Sequence, residues 1–318
     1  MKKGILITPQ ELKQYNWIEK IKELKLNTLG LHSGGGPNHN VIAALGETAT
    51  ESFRSRISSV QGLDLEYECH VSGTLLEDEL FNTHPEFFQK DFLTGKRTTG
   101  GNWCVTNPEL MAWIGKKARQ LTEKLPSSTH RYYYWTADNP LAWCHCPQCS
   151  HYTMSEQNLL AMNALLAEIR KVDPLAELAF LAYHNTITVP DKVKPVPGVF
   201  LEFAPYPRCY QHAINDPECE INRKYWIALR RLLEVFDPRR TQILEYWLDV
   251  SYFSHYRKPT MRPVVCRDLI KRDIEAYLSL GIRNFTTFAV YMDGEYLQKE
   301  GDAELCMYAQ LLNEYLKE

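Results

Sequence analysis

Residues 108–135 read PELMAWIGKKARQLTEKLPSSTHRYYYW, and this stretch decides the fold. Pro108 opens an amphipathic run to Leu125, in the first-turn position where a proline's missing N–H costs nothing. After a polar break, Arg131–Trp135 is an aromatic run of strand length. A helix that feeds straight into a strand is half of a unit in which parallel strands are joined by helical crossovers.

Working outward, the same alternation recurs eight times. Toward the N-terminus, strand one is Ile5–Thr8, a helix covers Pro9–Leu26, strand two is Thr28–His32, and a helix over Thr48–Val60 leads to strand three, Leu65–Val71. The stretch from Ser72 to Asn107 is irregular, and a loop of that length in a compact domain points to function. Toward the C-terminus come a helix over Ser155–Val172 with Ser155 as N-cap, strand five at Leu178–His184 and strand six at Val199–Ala204. A helix near Asn222–Phe236 precedes strand seven, Gln242–Leu248. A helix over Arg267–Leu280 stops at Gly281, strand eight is Asn284–Tyr291, and a last helix spans Asp302–Lys317. Eight strands alternating with helices predict an α/β fold: a single (β/α)8 TIM barrel over residues 1–318, with a long irregular loop after strand three. An open doubly wound sheet would want a glycine-rich phosphate turn after strand one, and Thr8-Pro9-Gln10 cannot supply it. The Gly34–Gly36 run follows strand two and lacks the lysine and hydroxyl of a P-loop.

Composition narrows the partners. Of 318 residues, 44% are hydrophobic and 24% charged, the balance of a globular chain. A formal net charge of -3 and the lack of a Lys/Arg cluster argue against a nucleic-acid partner. No apolar run approaches the roughly 20 residues of a membrane span, and Met1-Lys2-Lys3 runs directly into Gly4-Ile5-Leu6-Ile7 without a signal peptide. The expected location is therefore cytoplasmic, or periplasmic should the sequence be a trimmed form.

In such a barrel the chemistry sits at the C-terminal ends of the strands. There the sequence places His32, His70, Asp138 and Asn139, His184, Tyr206 and Arg208, Asp249 and Asp293, one or two residues per strand. Side-chain alternation adds carboxylates of opposite parity to their apolar neighbours, which predicts that Glu68, Glu202 and Glu245 point into the barrel. Buried carboxylates are costly unless paired or bound to something. Glycoside hydrolysis needs two carboxyl groups flanking one bond, about 5 Å apart for retention and further for inversion. Asp138 with Glu245 is such a pair. Asp249 competes for the second role, lying roughly 13 Å further along an extended strand. Trp103, Trp135, Trp143, Tyr183, Trp247 and Tyr291 are candidate flat faces for sugar rings.

Nine cysteines exclude complete disulfide pairing within one chain, and three of them lie in Cys144-His145-Cys146-Pro147-Gln148-Cys149. Cys146-x-x-Cys149 has the spacing of a zinc knuckle, with Cys144 as third ligand and His145, His151, Cys209 or Cys219 to complete four. A metal held there would be structural, because closed thiolate sites leave no position for water.

The run Tyr134-Trp135-Thr136-Ala137-Asp138-Asn139 followed by Cys144-x-Cys146-x-x-Cys149 resembles the barrel of the domain-of-unknown-function 4838 family of saccharolytic bacteria. Further matching pieces are His84-Pro85-Glu86-Phe87-Phe88, Gly95-Lys96-Arg97, Asn107-Pro108-Glu109, Ala182-Tyr183-His184, and Arg208-Cys209-Tyr210 with Cys219 and Asn222. The resemblance runs from about strand three to the end, and only the cysteine motif with its preceding Asp-Asn is specific. The family is similar to α-glucuronidase and hexosaminidase-type barrels. That resemblance implies a carbohydrate substrate, an acid residue after strand four at Asp138, and no cofactor for catalysis. The chain departs from usual members in lacking a leading β-domain and a secretion signal.

Three functions are thus in play. The first is a glycoside hydrolase acting on an oligosaccharide or glycuronide through Asp138 with Glu245 or Asp249, where a carboxylate-bearing sugar would want Arg97, Arg208 or Arg257. The second is a metal-dependent hydrolase or isomerase built on His32, His70 and His184, although strand one lacks a His-x-His. The third is a non-catalytic carbohydrate-binding barrel.

Overall fold

The computed structural model describes residues 1–34 and 40–317. Eight parallel strands close into a barrel in sequence order: β1 (Lys2–Ile7), β2 (Thr28–Leu31), β3 (Asp64–His70), β4 (Arg131–Trp135), β5 (Glu177–Ala182), β6 (Val199–Phe203), β7 (Gln242–Glu245) and β8 (Asn284–Thr287). Closure runs through β1 and β8, with Lys2 opposite Asn284. The expected (β/α)8 barrel is what forms. Of the Gly34–Gly36 run, Gly35 and Gly36 lie outside the described residues.

The deciding stretch behaves as its chemistry dictates. Asn107 caps the helix Pro108–Lys124, its Oδ1 accepting from the backbone N–H groups of Glu109 and Leu110, and Leu110, Ile114, Ala118 and Leu121 turn one face inward. In β4 the aromatic run then splits by parity. The Tyr132 and Tyr134 hydroxyls reach out to Asp173 and to Thr122 in the helical layer, whereas Tyr133 and Trp135 point into the barrel and donate to Gln242 Oε1 and Glu202 Oε2, each at 2.7 Å. Polar-tipped aromatics suit a strand buried on both faces, because each tip finds a partner.

Three details differ from expectation. The first helix is two, Pro9–Gln14 and Trp17–Glu23, because Tyr15 is extended and its ring lies edge-on to the fully buried Trp17 at 5.4 Å. Thr153, not Ser155, caps the helix Met154–Ile169, in a capping box with Glu156; Ser155 is buried against Thr188. Among the described residues the β5–β6 connection carries no α-helix, only a 3-10 turn at His184–Thr186. Pro190, Pro195 and Pro197 in that segment forbid a regular crossover. The excursion from Ser72 to Asn107 is partly ordered, with a short helix at Ser72–Leu75, 3-10 turns, and antiparallel bridges Phe88–Trp103 and Lys90–Arg97.

Below the mouth, the barrel interior is polar. The Lys2 ammonium bonds Glu66, Tyr133 and Gln242, and Gln242 Nε2 donates to Glu68, Glu202 and Thr286. Gly30 leaves room for Glu68, since a Cβ there would come within 2.6 Å of Leu6 Cδ1 and 3.3 Å of Glu68 Oε1. Glu68 and Glu202 thus point inward, as parity predicts.

Candidate functional site

At the C-terminal mouth lies a cavity of about 410 Å³, the size of a small-ligand site. All eight strands deliver its walls, beginning with Thr8 after β1. His32 follows β2, His70 ends β3, Trp135 ends β4, Tyr183 follows β5, Tyr206 follows β6, and Tyr246 with Asp249 follows β7; Phe288 and Tyr291 close it from beyond β8. The aromatic groups brace one another: Trp135 lies 5.5 Å from His32 and 5.1 Å from His70, and Tyr206 lies 5.6 Å from Tyr183 and 5.1 Å from Tyr246. A wall held from several sides keeps its shape when empty.

The two histidines are oriented by the backbone. His32 Nδ1 lies 2.8 Å from the Glu68 carbonyl, and His70 Nδ1 lies 2.6 Å from the Thr136 carbonyl. A carbonyl can only accept, so both Nδ1 atoms carry hydrogen. Burial holds His70 below its ordinary pKa and therefore neutral, which leaves its Nε2 an acceptor.

The acidic residues of this lining are Asp138 and Asp249. Asp138 sits exposed on the turn after β4, held by Asn102, whose Oδ1 accepts from the Ala137 N–H at 2.7 Å. Asp249 is buried at the start of the short helix Val250–Phe253, and its Oδ1 accepts from Ser251 Oγ and the Tyr252 N–H. Burial raises its carboxyl to about 6, more than these bonds pull it down. Tyr183 is raised well above the ordinary phenol range, first by burial and then by the Asp138 charge beside it.

Other expected residues lie elsewhere. Asn139 and His184 line a small recess that shares His70 with the cavity, and burial lowers the His184 pKa. Glu202 sits beneath the floor, bonded to Trp135, and burial beside Glu68 raises it well above the usual carboxylate range. Glu245 does not point into the barrel, and this corrects the parity argument. The inward residues of this segment are Gln242, Leu244 and Tyr246, so Glu245 faces the helical layer. There it accepts from Arg208 and from the Tyr277 hydroxyl, each at 2.7 Å. Arg208 also pairs with Asp273 at 2.9 Å, and Trp247 Nε1 donates to Asp273. Arg208, Glu245 and Trp247 are therefore away from the cavity, in a fully buried ion-pair network. Trp103 is buried in the excursion and donates to the Ser72 carbonyl, and Asp293 caps the helix Gly294–Glu300 while pairing with Lys258. Tyr246, Tyr256 and Phe288 of the lining are not singled out by the sequence; Tyr246 escapes because its parity is opposite to that of Glu245.

Among the described residues, those bringing three or more metal-capable atoms within 4.8 Å of one another are two cysteine groups. His32, His70 and His184 do not form such a set. The buried group is Cys104, Cys144, Cys146 and Cys149, so the fourth member is Cys104 and not Cys209; Cys209 lies with His212 and Cys219 in the second. Cys104 comes from the excursion, far from the motif in sequence, and only the fold brings it there.

A closed parallel barrel with a ligand-sized cavity at its C-terminal mouth is the (β/α)8 architecture. The chain belongs to the family described as domain of unknown function (DUF4838), whose model matches residues 31–313. Among solved structures it is similar to Gan42B, a GH42 β-galactosidase from G. stearothermophilus, with a TM-score of 0.55 and 11% identity over 98% of this chain and 56% of that one. It is also similar to the GH36 α-galactosidase AgaA from Geobacillus stearothermophilus (TM-score 0.52, 11% identity, 99% of this chain and 42% of that one). A third protein, named as a glycoside hydrolase, gives 0.51 at 10% identity over 98% of this chain and 68% of that one. At such identities the likeness is one of fold. The chain spans about half the length of the first of these relatives. No protein of curated function matches it. Among the described residues no helix is long and apolar enough to cross a membrane.

Proposed function

We propose that the whole chain works as one barrel domain and hydrolyses a glycosidic bond held in this cavity. The observation that carries the reading is that the acidic residues of an aromatic-walled mouth cavity are two, Asp138 after β4 and Asp249 after β7. Asp249, whose carboxyl burial raises to about 6, carries the proton that goes to the leaving oxygen. Asp138, open to solvent, is the partner that attacks the anomeric carbon or activates water. This exchanges the role that the family resemblance implies for Asp138, and it replaces Glu245, whose carboxylate is committed to Arg208. The tyrosines and Trp135 supply flat faces for the ring, while His32, His70 and Tyr206 offer polar edges to its hydroxyls. Among the described lining residues there is no lysine or arginine, which favours a neutral oligosaccharide over a glycuronide.

The chemistry needs no cofactor, and a zinc ion in the four-cysteine group would be structural. The test is chromophore release from a panel of neutral aryl glycosides and aryl glycuronides by wild type, Asp138→Asn and Asp249→Asn. Turnover of a neutral glycoside that falls by about a hundredfold or more in both folded variants supports the assignment. Sugar binding by calorimetry with no turnover of any substrate would establish the non-catalytic barrel instead.

A further inference from the structure

The excursion after β3 and the loop after β4 meet at four buried sulfurs. Cys104 Sγ lies 3.7 Å from Cys146 Sγ and 3.9 Å from Cys149 Sγ, and all four sulfurs fall within 4.8 Å of one another. A tetrahedron with zinc–sulfur bonds of about 2.3 Å has edges of about 3.8 Å, so these spacings are those of ligands around one ion. They are nearly double the roughly 2.05 Å of a disulfide. The surroundings suit thiolates as well. The Lys90 N–H donates to Cys144 Sγ at 3.4 Å, the Cys149 N–H donates to Cys146 Sγ at 3.4 Å, and the Arg97 guanidinium lies 3.8 Å from Cys144 Sγ. Backbone donors and one nearby cation offset the negative charge that four thiolates leave around a divalent ion.

The junction also bears on the mouth. Two residues before Cys104, Asn102 donates its N–H to the Ala142 carbonyl and accepts from the Ala137 N–H, spanning the turn that carries Asp138. The His145 N–H donates to the Lys90 carbonyl across the same seam. Little else in this part of the excursion is regular structure, so its position depends on what fastens it.

We propose that Cys104, Cys144, Cys146 and Cys149 bind one zinc ion, and that this ion locks the excursion against the loop after β4 so that Asn102 holds the Asp138 turn in place. Only the importance given to Asp138 rests on the function proposed above. Asn102 is then a positioning residue, and the ion is a clamp on two loops rather than a participant in bond cleavage.

The experiment is metal analysis of the full chain purified from zinc-supplemented medium, by mass spectrometry and by mercurial release into a chromogenic chelator. One zinc per chain is expected in wild type and in Cys266→Ser, an exposed cysteine outside the group, with loss of that zinc in Cys104→Ser. Wild type reconstituted with cobalt should show the visible absorption of a tetrahedral tetrathiolate site, which keeps the test independent of any variant that fails to fold. Stripping the metal should speed proteolysis within residues 72–107 by about tenfold or more, since cleavage follows the population of the opened segment. Wild type without zinc after refolding in its presence would overturn the proposal, as would native disulfides among the four cysteines or full zinc retention by Cys104→Ser. Stoichiometric zinc in a protein that cleaves no glycoside would leave the clamp standing and remove the hydrolase. Turnover by a zinc-free protein would do the reverse.

Discussion

Replacing Glu68 by glutamine should flatten the dependence of stability on pH. Inside the barrel Lys2 faces Glu66, Glu68 and Glu202, and the carboxylate it bonds directly is Glu66. Burial, with the Glu66 charge adding to it against Lys2, raises the Glu68 carboxyl from 4.5 to about 7. The sign follows from linkage. A carboxyl whose folded pKa lies above its unfolded value binds more protons when folded, so stability falls as pH rises from about 4.5 to about 7 and is level beyond. A difference of about 2.5 units at 1.36 kcal/mol each makes that loss about 3 kcal/mol. Glutamine at this position has no proton to lose, and its carbonyl can still accept from Gln242 Nε2, now 3.4 Å from Glu68 Oε1. Urea denaturation of both proteins at pH 4.5 and pH 8 gives the answer. The stability of Glu68→Gln relative to wild type should improve by about 3 kcal/mol between the two conditions. Parallel pH dependences would show that Glu68 does not hold its proton in the folded barrel, and would sink the account of this interior.

If Asp249 is the acid, kcat/KM on an aryl glycoside should decline as pH rises through about 6, and an alkaline limb near 8 would refute the assignment. Tyr246→Ala should raise KM by roughly tenfold with folding intact, the loss of one stacking face of about 1.5 kcal/mol, whereas an unchanged KM would remove Tyr246 from the sugar site. Arg208→Met strands Glu245 and Asp273 in the helical layer and should cost about 3–5 kcal/mol in chemical denaturation. A stable Arg208→Met protein that had lost only activity would return Arg208 and Glu245 to the catalytic site.

The legibility of this fold differs strand by strand, and the reason is physical. Alternating helix-length and strand-length runs revealed the barrel because each crossover must cover one side of its strand. Boundaries fared less well at strand ends: β7 stops at Glu245 and β8 at Thr287, and the apolar residues beyond them form mouth loops. The lack of a β5–β6 helix is legible in Pro190, Pro195 and Pro197, whose missing N–H groups break any helix there.

Orientation is where local patterning falls short, and β7 shows why. Strands of such a barrel are buried on both faces, so hydrophobicity alone does not say which parity is inside. In β3 and β6 the carboxylates do face inward, since Lys2 and Gln242 make the interior polar. In β7 the same pattern, Leu244-Glu245-Tyr246, is inverted because Arg208 and Tyr277 bring charge and hydroxyl to the outside face. Those partners lie far away in sequence, as Cys104 lies far from Cys144, so no window around Glu245 or the cysteine motif contains the information. What decides such a site is which distant polar group arrives to satisfy a buried one. Arg208 arrives from the loop after β6, one strand before Glu245, and by pairing with it keeps Glu245 out of the mouth, where the acidic residues of the cavity lining are Asp138 and Asp249.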